Sequence, residues 1–327
     1  MREPPISTTR TPRRSSRGYR LNLSLPTLEV VIPVYRPDSS FAELLSRLDK
    51  QRLSVKGIHI MHTQGGELPD LTGYATPIRV HDLTPEEYDH GATRDQGIRY
   101  CSADFVLLMT QDALPANERL TEELAKAMEE ERCGLAYARQ IARPQDGVIE
   151  QFTRQFNYPR ESRVQSAETR EELGIKTYFC SDACALYRRE LYEELGGFEQ
   201  PCIFNEDMIY AHRLIVAGYT ICYAAQASVI HSHHYSGIKQ LRRNFDLGVS
   251  QAQHPEIFAD VSSVSEGKRL VKKTAAYLAK RGRVLSLIYL IYYSGMKWLG
   301  YKLGRSFHHL PAAAVRRISM NRNYWNH

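Results

Sequence analysis

Three short polar stretches hold the side chains best suited to chemistry. The first is Thr110-Gln111-Asp112, which follows the apolar run Phe105–Met109 and precedes Pro115. The run reads as a strand buried on both faces, and Pro115 prevents its continuation. An open α/β sheet gathers ligands at the carboxyl ends of such strands, so Asp112 stands where chemistry is done. The rival reading is a plain cap for a helix starting near Asn117. The second stretch is Asn205-Glu206-Asp207. A carboxylate there can take a proton from a hydroxyl, or the pair can form the acidic first turn of a helix. The third is His231-Ser232-His233-His234, in which His231 alone would read as a core histidine bonded to backbone.

These stretches need elements to hold them. Residues 28–33 form a short apolar strand that ends in Val34-Tyr35-Arg36-Pro37. Residues 40–52 carry Phe41, Leu44, Leu45 and Leu48 at helical spacing. Strands follow over 57–62 and 78–80, then a helix over 93–100. After the central strand come a helix over 120–132 and a strand over 135–138. Residues 143–172 are a long polar excursion with a helix near 161–173, of the kind that serves as a lid or binding segment. A strand over 178–187 leads to a short helix over 190–195, closed by Gly196-Gly197. A helix over 205–217 and strands over 220–224 and 227–231 complete the pattern. Strands alternating with helices predict a mainly parallel sheet with right-handed crossovers. The first strand–helix turn has no GxGxxG and no GxxxxGK[ST], which argues against dinucleotide and P-loop readings.

Composition adds an asymmetry. Residues 1–20 hold six Arg and one Glu, and residues 264–327 hold thirteen Lys or Arg and one Glu. With a net charge of +6 overall, the middle of the chain must be acidic. Basic ends around an acidic body point to an anionic surface, either membrane or nucleic acid. Residues 1–26 read as a disordered basic arm. The apolar stretch 284–299 would make a helix of roughly 25 Å, short of the about 30 Å bilayer core, and Gly295 and Lys297 interrupt it. An in-plane amphipathic helix with Tyr and Trp at headgroup level is preferred. The alternative is a helix packed on the main domain or on another subunit. The six cysteines contain no CxxC pair and complete no zinc pattern, so free thiols in a reducing cytoplasm are expected. No apolar signal-peptide segment is seen at the N-terminus.

Read together, the motifs YDHGATRDQGI (88–98), TQDA (110–113), FCSDACALYRRELYEELGGF (179–198), NEDMIYAHRLIVAGY (205–219) and VIHSHHYS (229–236) resemble family 2 glycosyltransferases of the GT-A fold. Within that family the chain is most similar to bacterial dTDP-rhamnose-dependent rhamnosyltransferases of surface polysaccharide (O-antigen) synthesis. The resemblance runs from about Leu28 to Pro255, and GYKLGR…NRNYW near the C-terminus adds to it. It implies an α/β GT-A domain over 27–255, followed by a basic, amphipathic helical region over 256–327 that associates with a membrane.

The resemblance also implies roles. Asp112 would bind a divalent cation, Mg²⁺ or Mn²⁺, that neutralises the leaving diphosphate. Thr110 stands where a DxD motif has its first carboxylate, so a third ligand is needed, and His231 is chosen ahead of His233. Asp207 is the general base of an inverting displacement. Pro33, Tyr35, Arg36, Asp89, Gly91, Arg94, Gln111 and Asp112 would hold the donor, with Arg94 paired to a phosphate and the Gly91 turn letting backbone approach. Ser181, Asp182 and Glu206 would face the acceptor. The family's base-gripping Asp after the second strand is absent here, where the sequence reads His62-Thr63-Gln64.

The implied function is transfer of rhamnose from dTDP-rhamnose to a hydroxyl of a lipid-linked glycan. It would take place on the cytoplasmic face of the membrane, with no nucleic-acid partner and a homo-oligomer left open. Alternatives are a UDP-sugar transferase and an inert carbohydrate-binding scaffold on the same fold. A retaining hydrolase, with carboxylates about 5 Å apart, fits the strand–helix pattern and the basic tail less well.

Overall fold

A computed structural model describes residues 26–233, 235–259 and 263–326. In chain order the first half contains β1 (Leu28–Val34), α1 (Ser40–Asp49), β2 (Gly57–Thr63), β3 (Ile78–Leu83), α2 (His90–Arg99) and β4 (Phe105–Met109). Next come β5 (Leu114–Pro115), α3 (Leu120–Ala127), β6 (Cys133–Ile141), α4 (Val148–Asn157) and β7 (Arg163–Gln165). They are followed by α5 (Arg170–Leu173), β8 (Cys184–Arg188), α6 (Arg189–Glu194), α7 (Glu206–Val216) and β9 (Thr220–Ile230). The C-terminal part is helical: α8 (Gly237–Gln253), α9 (Pro255–Phe258), α10 (Ser263–Ala279), α11 (Val284–Arg305) and α12 (Ala312–Ile318).

The strands form one nine-stranded sheet in the order β3-β2-β1-β4-β8-β6-β9-β5, with β7 also paired to β9. β1 to β4 are parallel. β8 lies antiparallel between β4 and β6, and β6 and β9 are parallel. Six strands therefore point one way, and β5, β7 and β8 oppose them. The consequence is functional. The ends of β4, β6 and β9 and the start of β8 open on one edge of the sheet, bringing Asp112, Gln140, His231 and Asp182 toward one crevice.

Both faces of the sheet are covered, which explains the unbroken apolar run of β4. Val106 and Leu108 pack with Ile98 of α2, Leu191 of α6 and Leu214 of α7. Phe105, Leu107 and Met109 pack with Phe41, Leu44, Leu45 and Leu48 of α1 and with Leu124 of α3. Each such side chain contributes about 1.5–3 kcal/mol on burial, and the period-two split in β4 serves both layers.

The C-terminal helices close on the domain by backbone contact. A Cβ at Gly300 would lie 2.1 Å from the Leu241 carbonyl oxygen, and one at Gly304 would lie 2.1 Å from that of Phe245. Gly248 of α8 sits against the same turn of α11. Only glycine permits that approach. The other end of α11 is different: Leu285 is 83% and Ile291 73% exposed, with Ile288, Tyr292 and Trp298 also open to solvent. No helix among the described residues is long and apolar enough to cross a membrane.

Several elements depart from the sequence pattern. The strand expected over 178–187 shrinks to β8, because Ser181 starts a turn in which its hydroxyl and carbonyl accept from Ala183 and Cys184 backbone N–H. The excursion over 143–172 has its main helix earlier than expected, at α4 (Val148–Asn157), while its far end carries only the four residues of α5. The two strands expected over 220–231 are one, β9, with a register shift where Ala138 meets Ala224 and Arg139 meets Ser228. Packing of the C-terminal helix on the main body holds for the Gly300–Gly304 end of α11. The basic arm expected over 1–26 lies, except for Pro26, outside the described residues.

Candidate active site

The lip beyond β1 and β4 is clasped by a reciprocal pair. Tyr35 N–H donates to Gln111 Oε1 at 2.7 Å, and Gln111 Nε2 donates to the Tyr35 carbonyl at 3.1 Å. Arg36 adopts a positive φ of 47° and donates Nε–H to the Gly65 carbonyl at 2.9 Å. Pro33 lies in β1 beside Met61 of β2, just before this clasp. Tyr35, Arg36 and the Gly65-Gly66 turn thus form one wall, half of it open to solvent. Where a carboxylate after β2 was missing, β3 provides one: Asp82 Oδ1 lies 2.7 Å from His62 Nδ1. The sequence reading did not find Asp82, which reaches the lip only through the β2–β3 register that pairs it with His62.

Asp112 is flanked by two imidazoles. Its Oδ1 is 3.4 Å from His231 Nε2 and its Oδ2 is 3.5 Å from His233 Nδ1. Their candidate ligand atoms all lie within 4.8 Å of one another. Gln140 orients the pair. Its amide nitrogen donates to Ser181 Oγ at 2.9 Å, so its carbonyl oxygen accepts from His231 Nδ1 at 2.9 Å. That fixes the tautomer and leaves His231 Nε2 a buried lone pair with no hydrogen-bond partner. Burial pushes His233 down to about 3, which keeps its ring neutral. An orphaned imidazole nitrogen, a neutral second imidazole and an ionised carboxylate fit a divalent cation.

A second cluster holds three carboxylates around one guanidinium. Arg94 is buried, with Nη1 3.3 Å from Glu206 Oε1 and Nε 3.5 Å from Asp182 Oδ2. Arg94 Nη1 also donates to the His90 carbonyl at 2.8 Å. Tyr187 donates its hydroxyl to Asp182 Oδ1 at 2.5 Å. Burial pushes Asp182 up to about 7, against the pull of Arg94. Burial would also raise Glu206, yet Arg94 and His90 keep it below its ordinary value. Asp207 forms no ion pair among the described residues. Burial first, then the charges of Asp182 and Glu206, push it well above the usual range. Its Oδ1 accepts from the Met208 backbone N–H at 2.7 Å, and Asn205 before the pair is left-handed at φ 65°.

Several of the expected site residues have partners within the protein. Arg94 is turned inward by α2 and lies between the carboxylates of Asp182 and Glu206. Asp89 caps α2, accepting from Gly91 and Ala92 N–H, and ties down Cys202 N–H at 2.9 Å. The close approach at Gly91 is to the Glu199 carbonyl oxygen, 2.3 Å from where a Cβ would sit. Asp182 is only 4% exposed and turns toward Tyr187 and Arg94. Ser181 stays at the lip, bonded to Gln140, and Glu206 is buried beside Arg94. Gln140 near the end of β6, and the arginines around it, were missed, since nothing local marks them.

Comparison with known proteins bears on the family and the fold. Residues 29–196 match the family profile described as Glycosyl transferase family 2. Over 310 residues the chain is 32% identical to the O-antigen chain rhamnosyltransferase WbaN of Salmonella anatum, spanning 92% of this chain and 96% of that protein. Over 307 residues it is 32% identical to the O-antigen chain rhamnosyltransferase RfbN of Salmonella typhimurium, spanning 91% and 96%. Among solved structures, the mannosyltransferase PcManGT from Pyrobaculum calidifontis, in complex with GDP-Man and Mn²⁺, aligns with a TM-score of 0.53. That alignment covers 93% of this chain and 88% of the other at 15% identity, a likeness of fold.

Proposed function

Because the chain belongs to glycosyl transferase family 2 and carries the GT-A fold, we propose that it transfers rhamnose from dTDP-rhamnose to a hydroxyl of a lipid-linked polysaccharide precursor. The observation that carries the chemistry is the orphaned His231 Nε2 facing Asp112, at the end of the sheet where Asp207 also stands. Its fit to a cation matches the need of a nucleotide-sugar donor. The donor assignment rests on the two rhamnosyltransferase relatives.

Asp112, His231 and His233 would hold a divalent cation, which would supply charge neutralisation for the leaving diphosphate. Tyr35, Arg36 and Gln111 form the wall against which the nucleotide lies. Asp207 accepts the proton of the acceptor hydroxyl as that oxygen bonds to the anomeric carbon and the bond to the diphosphate oxygen breaks. A carboxylate with a raised pKa is a better base once ionised, and burial first, then the crowding by Asp182 and Glu206, provides this. Arg94 holds Glu206 and Asp182 in place, so the crowding is fixed. The work is done at the cytoplasmic membrane face, where the open apolar residues of α11 and the surrounding Lys and Arg meet anionic lipid.

A screen of nucleotide sugars, with and without Mg²⁺ or Mn²⁺, tests this reading. Metal-dependent consumption of dTDP-rhamnose in preference to UDP-sugars is expected. Preference for a UDP-sugar would overturn the donor, and indifference to chelators would overturn the cation site.

A further inference from the structure

At the opposite edge of the sheet from Asp112, three side chains that suit a softer ion face one another. Glu29 lies near the start of β1, His59 near the start of β2, and Cys101 just after α2. All three are buried, and their candidate ligand atoms lie within 4.8 Å of one another. Two of the three are held by partners that leave one donor atom turned to the common centre. Glu29 Oε2 accepts from the Ser102 and Ala103 backbone N–H at 2.6 and 2.9 Å, which fixes the carboxylate and gives Oε1 to the ring. His59 Nδ1 lies 3.1 Å from His81 Nε2, so a proton donated there from Nδ1 leaves Nε2 with a lone pair.

The remaining contacts are too long for strong hydrogen bonds. Glu29 Oε1 is 3.5 Å from His59 Nε2 and 3.8 Å from Arg79 Nη1, the end of an exposed side chain. Cys101 Sγ donates to the Gly97 carbonyl at 3.5 Å. An imidazole nitrogen and a carboxylate oxygen, each about 2.0–2.1 Å from one tetrahedral zinc ion, stand about 3.3–3.4 Å apart, close to the spacing seen. Gly57 keeps the flank of Oε1 open, since a Cβ there would lie 3.3 Å from it. The charges also close. A divalent cation, a carboxylate and a thiolate sum to zero, as a buried set requires, and the thiol proton leaves to solvent on binding. Of the nearby cations, Arg189 donates to the Ala103 carbonyl and pairs with Glu193, each at 2.8 Å, and Arg79 is free to swing outward. Entry is short: exposed Tyr100 stacks on His81 at 3.9 Å and lies 6.3 Å from His59, between ring centroids.

We propose that Glu29, His59 and Cys101 form a second metal site, which takes zinc or a similar borderline-soft divalent cation. Thiolate and imidazole select against Mg²⁺, which prefers an all-oxygen set. The ion would tie the starts of β1 and β2 to the end of α2, the helix that carries Arg94. It stands apart from the chemistry at Asp112 and does not depend on the identity of the donor or the acceptor.

Cobalt(II), a spectroscopic stand-in for zinc, tests the site on the full chain under reducing conditions. Asp112, His231 and His233 contain no sulfur, so a thiolate-to-cobalt charge-transfer band reports on a cysteine site alone. The band is expected in the wild type and in Asp112→Asn. Cys101→Ser should abolish it, and His59→Gln should weaken cobalt affinity by at least about tenfold. Zinc should displace the band and Mg²⁺ should not. Absence of the band, or its persistence in Cys101→Ser, overturns the proposal. If the variants fold poorly, alkylation of the wild-type chain decides. Zinc should slow modification of Cys101, mapped by mass spectrometry, by about tenfold or more, because a coordinated thiolate is withheld from the reagent. Equal rates with and without zinc overturn the proposal.

Discussion

His231 donates its Nδ1 proton to the Gln140 side-chain carbonyl at 2.9 Å, and this bond decides which imidazole nitrogen meets Asp112. Removing it in Gln140→Leu frees the ring to flip. Partners of this kind typically contribute about 10–100-fold to metal affinity. The Mn²⁺ concentration for half-maximal turnover should rise by about tenfold or more, with activity largely restored at saturating metal. A titration curve superimposable on the wild type would show that Gln140 plays no such part.

Asp207→Asn removes the base and one of three crowded carboxylates. Turnover should fall by about 10²–10⁴-fold, the usual contribution of a general base. The thermal midpoint should not fall, because the neutral amide relieves repulsion with Asp182 and Glu206. Normal turnover in a folded Asp207→Asn chain would falsify the base assignment.

Stability should depend on pH in an unusual direction. Burial raises Asp182 to about 7 and Asp246 to about 6. Between the ordinary carboxylate value of 3.8 and these raised values, the folded chain holds protons that the unfolded chain has lost. Stability from these groups is therefore present at acid pH and declines as pH rises toward neutrality. Asp112, whose value is lowered, acts oppositely and only at more acidic pH. His233, pushed down to about 3, acts oppositely over part of the same range, so the decline due to Asp182 is read as the difference between the wild type and Asp182→Asn in denaturant unfolding at about pH 5 and about pH 7.5. Equal slopes in the two proteins would remove Asp182 from the account.

Glycines in α11 separate packing from propensity. Gly300→Ala forces a methyl into the Leu241 carbonyl and should cost about 1–3 kcal/mol. Gly295→Ala meets nothing within 4 Å and should gain about 0.5–1 kcal/mol from helix propensity. Thermal or denaturant melts of the two variants should move in opposite directions.

The exposed end of α11 should matter only when lipid is present. Leu285→Ser with Ile291→Ser should abolish flotation with anionic vesicles and leave the melting transition within about 0.5 kcal/mol, since both side chains are open to solvent. Undiminished flotation would assign membrane contact elsewhere.

Much of this was legible in the residues. The run Phe105–Met109 ending at a polar stop marks both the central strand and Asp112, because a strand buried on two faces needs apolar residues at every position. Helix α1 follows from four apolar positions at one spacing. Helix α4 escaped notice because Val148, Ile149, Phe152 and Phe156 lie within a polar stretch. Side-chain partners were harder still. Nothing local tells whether Arg94 enters the protein or faces a phosphate, since that depends on how α2 packs beside α7. Gln140 meets His231 only through the β6–β9 pairing, a contact 91 residues apart in the chain.

The glycine contacts between α8 and α11 make the two helices behave as one stiff lever. The near end of that lever holds the loop before Asp207: Ser250 of α8 donates to the Phe204 carbonyl at 2.7 Å and accepts from Asn205 at 3.0 Å. Its far end is the apolar tip that is open to solvent. A tilt imposed at the tip would travel through rigid backbone and a single serine hydroxyl to the left-handed residue that aims the base. Surface attachment and proton abstraction would then be mechanically geared.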